Sequence, residues 1–214
     1  MKFEEPKSGE GEAREMQWRA VAESIGGIKD RLGKGIDEEI KPAVIGLKAN
    51  GFGTTMSCEG HLDWALPWPW VVVESQLAER HLSDRHFNEL KGKVKAFRNG
   101  EGVMSDAEKQ EYEELTDAQI EENEKEFQRL TGFLQEFYKP DTEESHKGVV
   151  RLGINKGPWN QSRLQPADVP TKIKPQESQK LWPEQEKEQR LLAYRKEMER
   201  FSDFLKQKFF EQSK

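Results

Sequence analysis

Apolar residues recur three and four apart at Trp18, Val21, Ile25, Ile28 and Leu32. This is the stripe of an amphipathic helix, weakened by Gly26-Gly27 and ended by Gly33-Lys34-Gly35. Ile36-Asp37-Glu38-Glu39 reads as the start of a second helix, with acidic residues where the helix dipole favours them. Pro42 moves its regular part to about that position. Ile40, Ala43, Val44 and Leu47 then face inward, and Asn50-Gly51 is a stop signal. The period next changes from helical to β. Thr54–Cys58 is expected to be a short buried strand and Trp70–Glu74 a second strand, with Leu66-Pro67-Trp68-Pro69 as an irregular loop between them.

Downstream, Ser83 is expected to open a helix running to about Arg98, broken by Asn99-Gly100-Glu101-Gly102. Two capping-box spellings, Ser105-Asp106-Ala107-Glu108 and Thr116-Asp117-Ala118-Gln119, predict a short helix followed by a longer one. Phe127, Leu130, Phe133, Leu134 and Phe137 form the inward stripe of the longer helix. The acidic part before them is nearly free of apolar residues and is expected to project into solvent. Gly148–Ile154 is a third strand candidate. Residues 156–182 carry Pro158, Pro166, Pro170 and Pro175 and read as extended chain on the surface. Pro183 suits the first turn of a final helix with a stripe of Leu191, Tyr194, Met198, Phe201, Leu205 and Phe209. The expected organisation is a flexible tail (1–11), a core domain (12–155) with an acidic helical insertion at 103–138, the extended segment (156–182), and a C-terminal amphipathic helix (183–214). The fold class is α/β (α+β): a small sheet of about three or more strands, packed by several helices and helix-rich at its periphery.

Composition narrows the function classes. The chain is 34% hydrophobic and 35% charged, so the core is expected to be modest and the helices well solvated. A net charge of -6 argues against a general polyanion binder, and nucleic acid is not an expected partner. The basic strip Arg85, Lys91, Lys93, Lys95 and Arg98 is interrupted by Asp84 and Glu89 and reads as a solvated helix face. No segment approaches the ~20 apolar residues of a membrane span. The opening Met1-Lys2-Phe3-Glu4-Glu5-Pro6 lacks the apolar run of a secretory signal. With one cysteine there is no intrachain disulfide, and a reducing cytoplasm is expected.

Candidate chemistry concentrates between Ser57 and Trp70. This stretch holds the only cysteine, one of four histidines and three of six tryptophans. Cys58 and His61 are three residues apart, so on a continuing strand they would point to opposite faces. They converge only if the strand ends and the chain turns at Gly60. Three functional readings follow. Cys58 acts as a nucleophile with His61 as its base and Glu59 or Asp63 orienting the imidazole. Alternatively, Cys58 and His61 ligate a metal, a weaker reading because only Asp63, Glu74, His81, His86 and His146 remain to complete a set of ligands. Thirdly, Ser57, the amides near Gly60, and Trp64, Trp68 and Trp70 line a small-molecule pocket, with Arg151 as a cationic anchor. The residue-level alternative is a buried, inert cysteine within a core of tryptophans. At the level of the whole chain, the other class is a helical interaction protein that forms a homo-oligomer through its C-terminal stripe. No glycine-rich loop for a nucleotide cofactor stands out, and no cofactor is assigned.

The pattern Thr54-x-x-Ser57-Cys58-Glu59-Gly60-His61-x-Asp63, followed by Pro69-Trp70-Val71, resembles a family of bacterial proteins of unknown function. The likeness covers residues 36–75 and implies no activity, but it implies that Ser57, Cys58, Glu59, Gly60, His61, Asp63 and Trp70 form a site. Thr54-Thr55-x-Ser57-Cys58-x-Gly60 is more faintly similar to the tRNA wybutosine-synthesising methyltransferase family, which carries arginine where this chain has His61. That likeness implies an RNA-modifying enzyme as a further alternative.

Overall fold

The computed structural model describes residues 8–30, 32–139 and 150–211. Its elements in chain order are α1 (Ser8–Gly26), α2 (Lys41–Ala49), β1 (Gly53–Cys58), β2 (Trp70–Glu74), α3 (Gln76–Ser83), α4 (Arg85–Arg98), α5 (Asp106–Tyr138), β3 (Leu152–Lys156), β4 (Ser162–Pro166), α6 (Pro175–Ser178) and α7 (Glu184–Glu211). The four strands form one antiparallel sheet in the order β1-β2-β4-β3. This is the expected α+β class. Among the described residues no helix is long and apolar enough to cross a membrane.

The main core lies where α2, α5 and α7 meet one face of the sheet. Ile40, Ala43, Val44 and Leu47 pack with Leu130, Leu134, Met198, Phe201 and Leu205 against Val71, Val73 and Leu164. The expected inward positions of α2 and α7 are therefore buried, and the α7 stripe is consumed inside its own chain. That removes the apolar face on which an oligomer through this helix was expected to rest. Gly46 allows the close approach of α2 to α7, since a Cβ there would sit 2.9 Å from Leu205 Cβ. Pro42 does open α2, at its first turn.

Several boundaries differ from expectation, each for a local reason. The first helix already begins at Ser8, within the expected tail, and ends at Gly26 rather than at Gly33. The two consecutive glycines outweigh the stripe, leaving Ile28 46% and Leu32 92% exposed. Ser83 does not cap a helix. Asp84 does, accepting from Phe87 N–H at 3.0 Å, and a separate helix, α3, precedes it, capped by Ser75. The capping box at Ser105 is present, but Thr116 starts nothing. Its hydroxyl instead donates back to the Tyr112 carbonyl at 2.7 Å, so α5 runs unbroken for 33 residues. Its acidic first half does not project alone. It pairs with α4 through Phe87 on Tyr112 (5.8 Å), His86 with Glu111 (2.7 Å) and Lys93 with Glu108.

Strand β1 is an edge strand, with Met56 54% exposed, rather than a fully buried one. The third strand is Leu152–Lys156, while Gly148 and Val149 lie outside the described residues. The segment 156–182 is not surface wrapping alone. It contributes β4, hydrogen-bonded between β2 and β3, so this stretch and α7 are both part of the core fold.

Candidate functional site

The site forms where α2 and β1 return to a common end. Helix α2 has nine residues, about 14 Å at 1.5 Å per residue, and β1 has six, about 20 Å at ~3.3 Å per residue. The turn Asn50-Gly51-Phe52 reverses the chain between them. The loop before α2 therefore lies beside the residues that follow β1, and Asp37 meets Cys58 and His61. One donor atom from each of the three residues lies within 4.8 Å of the other two. His61 Nε2 is 3.6 Å from Asp37 Oδ2.

The required turn is present. β1 ends at Cys58, and Gly60 adopts φ +83°, a left-handed conformation that glycine supplies without strain. A Cβ at Gly60 would lie 2.7 Å from both Leu191 Cδ1 and the Trp68 carbonyl carbon, and 2.9 Å from Trp68 N. The loop is clamped from α7 and from the chain before it. Arg195 donates to the Glu59 and Gly60 carbonyls at 3.0 and 2.9 Å, and Gln179 donates to the His61 carbonyl at 3.0 Å. His61 N–H closes the loop onto the Leu66 carbonyl at 3.0 Å.

The three side chains differ in their surroundings. Cys58 is buried and free, and burial pushes its thiol above the ordinary value. A hydrogen bond from Gly60 N–H to Sγ (3.4 Å) pulls the other way. Burial thus disfavours the thiolate that the first reading needs, while the Gly60 N–H favours it. Asp37 turns Oδ1 towards Lys34, 3.1 Å away, and Oδ2 towards His61. His61 stacks on Trp64 at 4.2 Å, and its Nε2 is buried without a hydrogen bond.

Beside this trio lies a cleft of about 730 Å³. Asp37, Cys58, Ser57, Trp64, Trp70 and Arg163 belong to its wall. Sheet register accounts for three of these. Cys58 pairs with Trp70, and Val72 pairs with Arg163, so the period of two places Cys58, Trp70 and Arg163 on one face, opposite Val71 and Leu164. The Arg163 guanidinium lies over the Trp70 ring at 4.7 Å. Burial lowers its pKa, and no ion pair with a carboxylate forms among the described residues.

The other expected site residues scatter. Glu59 is tied down, accepting from Glu39 N–H at 3.2 Å and facing Arg195 at 3.5 Å, and it does not orient His61. Asp63 is exposed, outside the trio. Trp68 is wholly buried in a small second core with Leu66, Val169 and Tyr194. Arg151 stacks on Tyr138 at 4.7 Å and lines other grooves, not this cleft. Glu74, His81 and His86 are engaged elsewhere, with Gln161, Gln119 and Glu111. His146 lies outside the described residues. Asp37, Lys34 and Arg163 were not expected at the site. The α2–β1 return could have pointed to Asp37, whereas Arg163 depended on a strand whose sequence hides it.

No protein-family model matches this chain, and no curated protein or solved structure shows significant similarity to it.

Proposed function

We propose that the chain binds a small anion with a flat apolar body in the cleft beside Cys58. The observation that carries this reading is Arg163. A half-buried guanidinium with no carboxylate across from it is costly to keep, and it gains most from a carboxylate or phosphate held in its two-pronged geometry. Trp64 and Trp70 offer aromatic surface for the ligand's body, and Ser57 a hydroxyl at the rim. A reducing cytoplasmic setting, in which a free thiol persists, suits this reading.

Tryptophan fluorescence tests it. Benzoate and phenylphosphate are expected to quench saturably, and benzamide, their neutral counterpart, is not. Arg163→Gln is expected to weaken both anions by about tenfold or more, the worth of a charge-assisted hydrogen bond. Equal binding of benzamide, or unchanged binding in the variant, overturns the proposal.

A further inference from the structure

The Asp37, Cys58 and His61 donors have no hydrogen bonds among themselves, although all three are gathered in a mostly dry corner. The Asp37 and His61 side chains are 15% and 16% exposed, and Cys58 is 7% exposed. We infer that these three residues hold a divalent transition ion of the zinc class, open to the cleft at a fourth position. The inference rests on reading the cleft as the functional site.

The donor set is one thiolate sulfur, one imidazole nitrogen and one carboxylate oxygen. This mixed borderline set suits zinc or cobalt(II), whereas calcium and magnesium take all-oxygen shells. Three protein ligands plus water is the arrangement of zinc sites that act on a substrate. One separation already fits. Bonds of about 2.0–2.3 Å in a tetrahedron separate donors by ~3.3–3.8 Å. The His61 Nε2 to Asp37 Oδ2 distance of 3.6 Å falls in that range and is too long for a hydrogen bond. The widest separation in the trio, 4.8 Å at most, asks the donors to draw in by about 1 Å.

The surrounding groups act as outer partners. Gly60 N–H points at the sulfur, a contact that stabilises a metal-bound thiolate. Lys34 takes the other oxygen of Asp37, fixing which oxygen faces His61. Trp64 fixes the plane of the imidazole by stacking. Arg195 and Gln179 hold the loop in place before any ion arrives. Cys58 and Asp37 both line the cleft, so the ion would face it, beside the Arg163 that would hold an anion.

Cobalt(II) titration of chelator-stripped, reduced protein tests this. About one equivalent is expected to bind, with an intense thiolate-to-cobalt absorption and visible bands of tetrahedral strength, both displaced by zinc. Cys58→Ser is expected to lose the thiolate band. Asp37→Asn and His61→Gln should each weaken cobalt binding by at least about tenfold. Urea unfolding of the three variants reports whether they remain folded, and the parent titration stands without them. No saturable uptake by the parent, or an unchanged thiolate band in folded Cys58→Ser, overturns the inference. Benzoate quenching of the stripped protein separates the two proposals. Benzoate binding without cobalt uptake removes the metal alone, and cobalt uptake without benzoate binding removes the anion reading alone.

Discussion

The two ends of strand β2 gather buried polar groups in opposite ways. At the Glu74 end most such groups have a partner, the buried Ser162 hydroxyl being an exception. Asn123 accepts from Ser75 N–H at 2.7 Å and donates to the Trp159 carbonyl at 2.8 Å. Gln161 donates to the Glu74 carboxylate, and His81 Nδ1 lies 2.9 Å from Gln119 Oε1. At the Trp70 end, beside Cys58, backbone groups are tied down, Asp37 Oδ2 and Cys58 Sγ accept from the Glu59 and Gly60 N–H groups at 3.5 and 3.4 Å, and the buried His61 Nε2 has no partner. Closed polar networks fix a structure, because each unpaired member would cost desolvation energy. An unclosed group carries that cost without a structural return, and the unpaired His61 Nε2 supports the proposal of a ligand at the Cys58 end.

The largest expected effect tests whether the open end is nevertheless built on a rigid turn. Gly60→Ala combines a left-handed backbone with three contacts under 3.0 Å, two of them to Trp68 backbone. A loss of about 2–4 kcal/mol is expected in urea denaturation, with loss of cobalt uptake. A variant as stable as the parent would mean the turn can be rebuilt, and the preorganisation argued for the site would fail.

Next in size is the closed end. Asn123→Ala leaves the buried Ser75 N–H and the part-buried Trp159 carbonyl without their partner, and about 2–3 kcal/mol should be lost. Trp159 and Asn160 hold positive φ values of 53° and 55°, so loosening their anchor should also raise amide exchange in 158–161. By contrast, His61→Gln at the open end is expected to shift stability by no more than about 1 kcal/mol, because no hydrogen bond is broken at Nε2. If the Asn123 and His61 variants cost the same, the distinction between the two ends collapses.

Much of this contrast was legible in the sequence, and the rest was hidden for identifiable reasons. Period and punctuation located α2, β1, β2 and α7, and the turn demanded at Gly60 is present. The strand β4, Ser162-Arg163-Leu164-Gln165-Pro166, carries a single large apolar residue and a proline, so nothing in its own pattern marks a central strand. It is held there by pairing with both neighbours, which is tertiary information. Arg163 goes unmarked with it, and Arg151, on a stretch that does read as a strand, is the cation the pattern suggests instead. Asp37 was visible only as a helix-start acid, because its role depends on α2 and β1 ending side by side. The unbroken α5 shows the reverse error, a local capping signal at Thr116 overridden by packing against α4.

The smallest expected effect probes the one charge inside the closed network. Glu74 is 2% exposed, and burial raises its pKa from the ordinary 4.5, while the nearby Thr55 hydroxyl and the hydrogen bond from Gln161 pull it down. A carboxylate with a raised folded pKa takes up a proton on folding. Its contribution is fully present below the unfolded value and is lost as pH rises through the folded one. Glu74→Gln keeps an acceptor for the Gln161 amide and removes the charge. The variant is therefore expected to gain stability relative to the parent as pH rises from 4.5 through the raised folded value, and to hold that gain above it. Thermal unfolding from about pH 4 to about pH 8 reads the difference. A difference that stays flat would mean the carboxylate is as well accommodated charged as neutral, with Lys91 outweighing burial. The closed end would then tolerate a full charge, and the unpaired His61 Nε2 at the Cys58 end would no longer need a ligand to account for it.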